Sequence, residues 1–308
     1  SDNENVTTVS ADGTVTIKNA GTAKITVSMD ESQNFLAVSK EVTVTVAPKE
    51  ITVTPDNASK VYGESDKEFT YTPSGLVGED TLSDITLSRA EGDNVGTYEI
   101  TAAQKKDANP NYSVKFNKGT FTINPKEITV TITPNGGTYE GNIISAAAVL
   151  NGLVGEDKPE IILTYAGKAN DGTEVNGTKT PVLAGTYTVT ASITDSNYNL
   201  KAEGTTAEFV VTKATPGLSV AAVSDKSYGE GAFKLGVSNK GDGLKSYVSS
   251  NEKVVTVDEK GTITIVGAGT ATLTVSLAES ANYTADRKAV TVTVAPKEIT
   301  VTADNQKK

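Results

Sequence analysis

The sequence contains no cysteine, no histidine and no tryptophan, and Met29 is its only methionine. Without cysteine there can be no disulfide, no thiolate nucleophile and no zinc–thiolate site. Without histidine the usual general base and the commonest ligand of transition metals are also missing. These absences predict that the protein is not an enzyme and that it needs no cofactor.

The charge balance and the hydrophobic pattern exclude two further classes. Twenty-eight basic residues stand against 38 acidic ones, a net charge of −10, whereas a nucleic-acid-binding surface needs clustered basic side chains to neutralise phosphates. No apolar run is long enough to cross a bilayer, for which about 18 residues are needed. We therefore expect no nucleic-acid partner and no membrane insertion within this segment.

One stretch of thirteen residues occurs twice without a change. VTVTVAPKEITVT spans residues 42–54 and again residues 290–302. Alternating valine and threonine has the two-residue period of a β-strand, and the proline that interrupts it cannot donate to a sheet. The stretch therefore predicts the last strand of one module followed by the first strand of the next. Aligning residues 1–60 with residues 249–308 without gaps gives 38 identical pairs, so the chain repeats with a period of 248 residues.

A weaker repeat lies inside this period. GLVGED, GTY and NY occur in that order from residue 75 to residue 112 and again from residue 152 to residue 198. The second copy contains an additional polar, glycine-rich segment, residues 166–180, which predicts a loop or an extended hairpin that turns at Asn170-Asp171-Gly172. The same landmarks in the same order indicate two copies of one type of module.

Prolines mark the predicted boundaries of five modules. The ranges are 1–47, 48–124, 125–213, 214–296 and 297–308, the last being only the first strand of a further module. The connectors are short and contain proline, so we expect stiff joints and an elongated array. Residues 1–47 have no counterpart of residues 214–248. We therefore expect a truncated sandwich whose exposed apolar face or strand edge is covered by the second module or by head-to-tail self-contact.

Alternating segments bounded by turn residues predict strands throughout the chain. The clearest are residues 13–17, 23–29, 68–72, 97–102, 120–123 and 186–191. The best candidate for a helix is a single turn at residues 80–84. Short strands at regular spacing predict an all-β chain of β-sandwiches.

Two families of bacterial domains resemble these residues. Residues 1–47 and 214–296 resemble the group 2 bacterial immunoglobulin-like domains, through the segments VVTV, GTIT and GAGTATLTV at residues 254–275. Residues 48–124 and 125–213 resemble the MBG ("mostly bacterial Ig-like") domains, through YG, GLVGED, GTY and NY. The third module departs from this pattern at its first landmark, where Tyr139-Glu140-Gly141 replaces tyrosine–glycine.

These resemblances imply immunoglobulin-like sandwiches and a place outside the cell. Such domains form tandem arrays in surface-attached or secreted bacterial proteins, where they act as stalks or adhesive modules without catalytic residues. The resemblance therefore implies an extracellular structural and adhesive segment that spaces a binding unit from the cell. Its partners would be a surface protein or a glycan.

Two pairs of carboxylates are the candidates for a metal site. Glu79-Asp80 and Glu156-Asp157 lie in the repeated GLVGED turns, where carboxylate oxygens could bind calcium. Calcium needs six to eight oxygen ligands. The alternative is a solvated turn with a helix-capping acid.

Tyrosines are the candidates for a ligand site, because exposed aromatic rings bind sugars. Those at repeated positions predict core or corner packing. The four without a clear place in the repeat, Tyr139, Tyr165, Tyr228 and Tyr247, are the candidates for a carbohydrate-binding surface. A carbohydrate-binding accessory region is thus the alternative function, and it requires at least two exposed tyrosines in one groove. A lysine–asparagine cross-link, a further alternative, requires a buried lysine beside an asparagine and an acid.

Overall fold

The computed structural model describes every residue of the chain except residues 142, 144, 305, 307 and 308. All regular elements in this part of the chain are β-strands, which confirms the all-β class. The chain divides into two compact units, one formed by residues 1–127 with 195–199 and the other by residues 128–194 with 200–308. No helix in the described residues is long and apolar enough to cross a membrane.

Residues 1–47, in the first unit, form two small antiparallel sheets. Strand β1 (Thr7–Val9) pairs with β2 (Val15–Ile17), and β3 (Gly21–Met29) pairs with β4 (Val38–Val46). Large apolar side chains of this region are exposed: Val9, Val15, Ile17, Val27, Met29, Phe35, Leu36, Val38 and Val42. The sequence predicts that the second module or head-to-tail self-contact covers this surface, and both possibilities stay predictions.

Residues 49–124 form two sheets that pack around one core. The strands are β5 (Lys49–Pro55), β6 (Ala58–Val61), β7 (Tyr71–Ser74), β8 (Ile85–Arg89), β9 (Gly96–Gln104), β10 (Tyr112–Phe116) and β11 (Gly119–Asn124). One sheet has the order β10-β5-β7 and the other β6-β11-β9-β8. Alternate residues of β9 and β11 point inward, so that Ile100, Phe121 and Ile123 form the centre of the core.

Most of the next eight strands belong to the second unit. They are β12 (Lys126–Thr133), β13 (Gly137–Thr138), β14 (Ala147–Asn151), β15 (Ile161–Ala169), β16 (Glu174–Gly177), β17 (Gly185–Ile193), β18 (Tyr198–Leu200) and β19 (Thr206–Thr212). Strands β13, β19, β17, β15 and β16 form one sheet in that order. The core beneath it contains Tyr165, Tyr187 and Phe209.

Residues 219–295 contain the largest core of the chain. The strands are β20 (Ser219–Val220), β21 (Lys226–Ser227), β22 (Phe233–Lys234), β23 (Val237–Ser238), β24 (Lys245–Ser249), β25 (Val255–Val257), β26 (Thr262–Ile265), β27 (Gly269–Leu277) and β28 (Asp286–Ala295). Sheet β21-β28-β27-β24 faces the small sheets β22-β26-β25 and β20-β23, and the interior is aliphatic.

Each predicted strand overlaps a strand of the structure, although the one predicted at residues 68–72 does so only at residues 71 and 72, and the polar insertion forms the expected hairpin. Strands β15 and β16 pair as antiparallel neighbours. The Gly172 amide donates to the Ala169 carbonyl at 2.9 Å, which closes the turn between them. Gly172 has φ 93°, a left-handed conformation that glycine adopts without strain. The hairpin alternative for this segment is therefore confirmed.

The predicted helical turn at residues 80–84 is wrong. Asp84 has φ 53°, which lies outside the right-handed helical region. The Ser83 amide and carbonyl both bond to the side chain of Asn109, at 3.0 Å each, so a side chain satisfies the main-chain groups in place of helical partners. The segment is an irregular loop, and the Lys105 amide also bonds to the Asp84 carbonyl at 3.1 Å.

The repeated segment ITVT has two different conformations. Residues 51–54 lie within β5, between β10 and β7, whereas residues 299–302 have no strand assignment. Ile299 and Val301 are more than four-fifths exposed. An alternating segment forms a stable strand only beside hydrogen-bonding neighbours, and none lies beside residues 299–302 in the described chain. Residues 305, 307 and 308 of the predicted fifth module lie outside the described residues.

Candidate functional site

One contact recurs at three places in the chain and defines the candidate site. The asparagine of an Asn-Tyr pair bonds to the turn that precedes a long strand of the preceding predicted module. We call Asn111, Asn197 and Asn282 the joint asparagines and the turns that they contact the receiving turns. In each case, both groups lie within one of the two compact units.

The first joint asparagine is Asn111, immediately before β10. Its side-chain oxygen Oδ1 accepts a hydrogen bond from the Ala20 amide at 2.8 Å, and its Nδ2 donates to Asn19 Oδ1 at 2.7 Å. Its main-chain carbonyl accepts from the Lys49 amide at 2.9 Å. One residue thus holds both the receiving turn and the first residue after the connecting proline.

The second joint asparagine, Asn197, repeats this pattern in the first unit. Its Oδ1 accepts from the Val95 amide at 2.8 Å, and its Nδ2 donates to Asn94 Oδ1 at 3.1 Å. Its carbonyl accepts from the Lys126 amide at 2.9 Å, again just after a proline. The geometry is the same although the side chains of the receiving residues, alanine and valine, differ.

The third joint asparagine, Asn282, repeats it in the second unit. Its Oδ1 accepts from the Ala184 amide at 3.0 Å, and its carbonyl accepts from the Ala214 amide at 2.9 Å. The inserted hairpin adds a bond here, because Asn170 Nδ2 donates to the Ala281 carbonyl at 3.1 Å. The extra segment of the third predicted module therefore contributes directly to this joint.

The tyrosine of the GTY motif holds the receiving turn from within. Tyr98 donates its hydroxyl to the Asn94 carbonyl at 2.7 Å, and Tyr187 donates to the Leu183 carbonyl at 2.9 Å. In both cases the carbonyl lies one residue before the amide that a joint asparagine binds. The predicted corner packing of these tyrosines is confirmed, and it orients the amide.

A second tyrosine position meets the tyrosine of the Asn-Tyr pair. The rings of Tyr62 and Tyr198 meet edge to face with centroids 5.3 Å apart, and those of Tyr139 and Tyr283 have the same spacing. Such a pair contributes about 0.5–1.5 kcal/mol beyond the buried area. The Asn-Tyr pair therefore supplies a polar contact and an apolar one side by side.

The tyrosine–glycine turn is built alike in three modules. Each tyrosine follows a short strand that runs parallel to the last strand of its module: β6 beside β11, β13 beside β19 and β21 beside β28. The next residue has a positive φ, 86° at Gly63, 56° at Glu140 and 93° at Gly229. Glu140 thus adopts the conformation that the other two modules assign to glycine, and the third module keeps the turn despite its different sequence.

A carboxylate at this position changes the acidity of Tyr283. Its hydrogen bond to Glu140, together with burial, raises the pKa of Tyr283 to about 12. Because the folded-state pKa lies above the unfolded value of about 10, the stabilisation is complete below about pH 10 and is lost as the pH rises through about 12.

We expect this tyrosine to titrate late. In a spectrophotometric titration, Tyr283 should remain protonated after the tyrosines of ordinary pKa have ionised. Glu140→Gln removes the charged acceptor and should shift this last ionisation toward pH 10. An unchanged titration in Glu140→Gln would contradict the assignment, and Glu64→Gln, at the corresponding turn of another module, is the matched control.

The carboxylate candidates lie in exposed turns. Asp80 accepts a hydrogen bond from the Tyr112 hydroxyl, which also accepts from the Val77 amide at 3.0 Å. The hydrogen bond to Asp80 raises the pKa of Tyr112. Glu79, Glu156 and the intermediate-burial Asp157 lie in the GLVGED turns. Within the described part of the chain, no three acidic side chains are grouped as a metal site, and calcium binding stays a prediction.

The four candidate tyrosines do not form one surface. Tyr165 is buried in a core beside Phe209, and Tyr247 packs against another core. Tyr139 faces Tyr283, as described above. Only Tyr228 is exposed, at 49%. The structure thus brings together no pair of exposed tyrosines from this set, and the carbohydrate-binding alternative has no geometric support from them.

A buried lysine is paired with carboxylates. Lys60 Nζ lies 2.7 Å from Asp66 Oδ1, and Arg89 Nε lies 2.5 Å from Asp66 Oδ2. The hydrogen bond from Arg89 is the main cause that lowers the pKa of Asp66. Arg89 also lies over the Phe121 ring at 5.0 Å. Lys60 thus forms ion pairs with Asp66 and Asp93 and lies over the Phe121 ring at 5.9 Å.

The fold and the repeated joint define a tandem array of immunoglobulin-like β-sandwich modules. Three family models match consecutive parts of the chain: the MBG domain of YGX type at residues 51–122, the MBG domain at residues 128–215, and the immunoglobulin-like domain of intimin at residues 228–279. The chain is therefore composed of tandem bacterial immunoglobulin-like modules. For residues 228–279, the matching model is the intimin domain.

Solved structures with several domains align with the chain at low similarity. The surface layer protein SbsC, domains 1–6, is 18% identical with a TM-score of 0.26; the alignment covers 95% of this chain and 48% of that one. Drosophila N-cadherin EC1-3 is 8% identical with a TM-score of 0.24, covering 79% and 98%. These scores carry no functional argument, and the chain spans about half of the surface layer structure. No curated protein matches the sequence.

Sequence reasoning did not identify the joint asparagines as contact residues. It used Asn-Tyr and GTY only as landmarks of a repeat. The available signal was that asparagine precedes an aromatic residue in every copy, Phe35 included, although an aromatic residue needs no asparagine beside it to fill a core. A polar residue that recurs at a module end indicates a contact outside its own core.

Proposed function

We propose that the chain is a structural segment of a bacterial cell-surface or secreted protein, in which immunoglobulin-like modules joined at fixed orientations space an adhesive unit from the cell. The modules are those bounded at residues 47/48, 124/125, 213/214 and 296/297. The observation that carries the proposal is the joint contact, which holds both the receiving turn and the connector with one asparagine. Each neutral hydrogen bond contributes about 0.5–1.5 kcal/mol net, so several together with a ring contact oppose bending.

The family resemblance supports the extracellular location in this proposal. MBG and intimin-type immunoglobulin-like modules are the matched types. Without cysteine no disulfide contributes to the stiffness of the array, which leaves that role to contacts such as the joint. The short, proline-containing connectors also stiffen the array, because they restrict the conformations of the chain between modules.

Replacing the joint asparagines should loosen the joints without unfolding the modules. In the full chain carrying Asn111→Ala, Asn197→Ala and Asn282→Ala, we expect the amides of Ala20, Val95 and Ala184 to exchange about tenfold faster. Amides of the module cores should keep their protection. Hydrogen exchange resolved to single amides measures both, and small-angle scattering should report a broader distribution of dimensions.

The matched control is Asn34→Ala. Asn34 corresponds to Asn282 in the 248-residue repeat and lies in the same kind of turn, closed between Ser32 and Phe35. Because it contacts no receiving turn among the described residues, its replacement should leave the three amides and the scattering unchanged. Equal effects of Asn34→Ala and of the triple variant, or no effect of either, would overturn the proposed joint.

A further inference from the structure

The repeat places a fourth receiving turn at residues 267–269. With the offset of 248, Asn19-Ala20-Gly21 corresponds to Gly267-Ala268-Gly269, and the amide of Gly267 bonds to the Val254 carbonyl just as that of Asn19 bonds to the Val6 carbonyl. Ala20 is partly covered, whereas Ala268 is exposed. In the described chain, the Ala268 amide meets no acceptor, while the corresponding amide of Ala20 is bound by Asn111.

The other elements of the joint are present beside this turn. Tyr228 occupies the position of Tyr62 and Tyr139, as shown by its amide, which donates to the Ala295 carbonyl at 2.8 Å. Those two rings each meet a tyrosine edge-on, whereas Tyr228 is 49% exposed. Lys297 follows the connecting proline as Lys49 does, and the Lys49 amide is held by Asn111.

These groups line one groove. It is bounded by Tyr228, Val266, Gly267, Ala268, Pro296, Lys297 and Ile299. The corresponding groove of the first unit is lined by Ala20 and Lys49 and contains Asn111 and Tyr112. The two grooves thus share their receiving turn and their connector, and the first one contains the Asn-Tyr pair that the second one lacks.

We propose that this groove is a docking site for the Asn-Tyr turn of an MBG-type module of the same kind as residues 48–124. The asparagine Oδ1 accepts from the Ala268 amide, the asparagine carbonyl accepts from the Lys297 amide, and the tyrosine ring lies edge-on against Tyr228. The unchanged sequence of residues 42–54 and 290–302 supports this occupant, because the connector that leads into the module is the same at both places. The inference rests on the joint contact of the proposed function.

The test extends the full chain with its own sequence. Residues 55–124 are appended after Thr302 in place of the final six residues, so that the second copy of the connector leads into a second copy of the module. We expect the Ala268 amide to exchange at least about tenfold more slowly than in the original chain, with Lys297 protected as well. Asn111→Ala placed only in the appended copy should abolish the protection of Ala268.

The outcomes separate this proposal from the preceding one. The extended chain is measured with and without Asn111→Ala in the appended copy. In each case, amides in the second copy of β9, such as that of Ile100, report whether the added module has folded. If they are protected and Ala268 remains unprotected, the docking site is refuted while the three internal joints stand. If the amides of Ala20, Val95 and Ala184 also exchange at the same rate with and without the joint asparagines, the proposed joint itself is refuted. Tyr228→Ala should weaken the protection of Ala268 only in the extended chain, and equal exchange in both backgrounds would overturn the ring contact.

Discussion

Replacing Tyr187 by alanine is expected to lower the free energy of unfolding of its sandwich by about 4 kcal/mol. Only 1% of the side chain is exposed, and its ring lies 5.6 Å from that of Phe209 in the core beneath β17. Truncation removes a large aromatic group and leaves a cavity that close-packed neighbours fill only in part. It also leaves the Leu183 carbonyl without its hydroxyl donor.

Tyr187→Phe separates these two contributions. It keeps the ring and removes only the hydroxyl, so that we expect a loss of about 1 kcal/mol. Hydrogen exchange of β17 amides is the appropriate measurement, because a chain with several cores need not unfold in one step. If phenylalanine destabilised β17 as much as alanine, the hydrogen bond rather than the packing would dominate, and the assignment of Tyr187 to the core would be wrong.

The second large effect is expected at a position that the repeat presents twice. Val292→Ala should cost about 2 kcal/mol, whereas Val44→Ala should cost no more than about 1 kcal/mol. Both valines lie in the sequence VTVTV, and both pair with an alanine, Ala271 and Ala23 respectively. Val292 is fully buried, and Val44 is only partly covered. The two substitutions therefore compare the effect of removing a buried valine with that of removing a partly covered one, while the neighbouring sequence stays the same.

Hydrogen exchange of the β27 and β3 amides would measure the two losses separately. The two substitutions remove the same methyl groups from the same local sequence, so differences in strand propensity cancel. Similar losses at both positions would mean that the surface of residues 1–47 is covered in solution. That result would favour the self-contact predicted for the first module.

The sequence predicted those parts of the fold that depend on local pattern. Alternation located the strands, and Asn170-Asp171-Gly172 located the hairpin turn, because strand pleat and glycine conformation act over a few residues. The helical turn at residues 80–84 was wrong because Asn109, 26 residues from Ser83, satisfies the main-chain groups of Ser83. Identical ITVT segments differ in conformation for the same reason, since neighbours along the sheet are remote in sequence.

The candidate site was only partly predictable. The repeat used the Asn-Tyr pairs as landmarks and predicted that their tyrosines are packed. Tyr198 and Tyr283 are buried, with exposures of 3% and 6%, but their rings meet Tyr62 and Tyr139 of other predicted modules. The repeat could not show that Asn111 lies against Ala20, because that contact depends on how one sandwich is set against the next. A hydrogen bond between a side chain and a main-chain amide also leaves no pattern in the receiving residue.

The use of a main-chain amide in the joint affects how the number of modules can increase by duplication. The group that donates to each joint asparagine is a backbone amide, so Ala20, Val95 and Ala184 serve equally in that bond, whatever their side chains. Because one period of the repeat carries both a receiving turn and a joint asparagine, a duplicated period supplies both halves of the contact. The contact is also one-directional, because each module presents an asparagine at one end and an amide at the other.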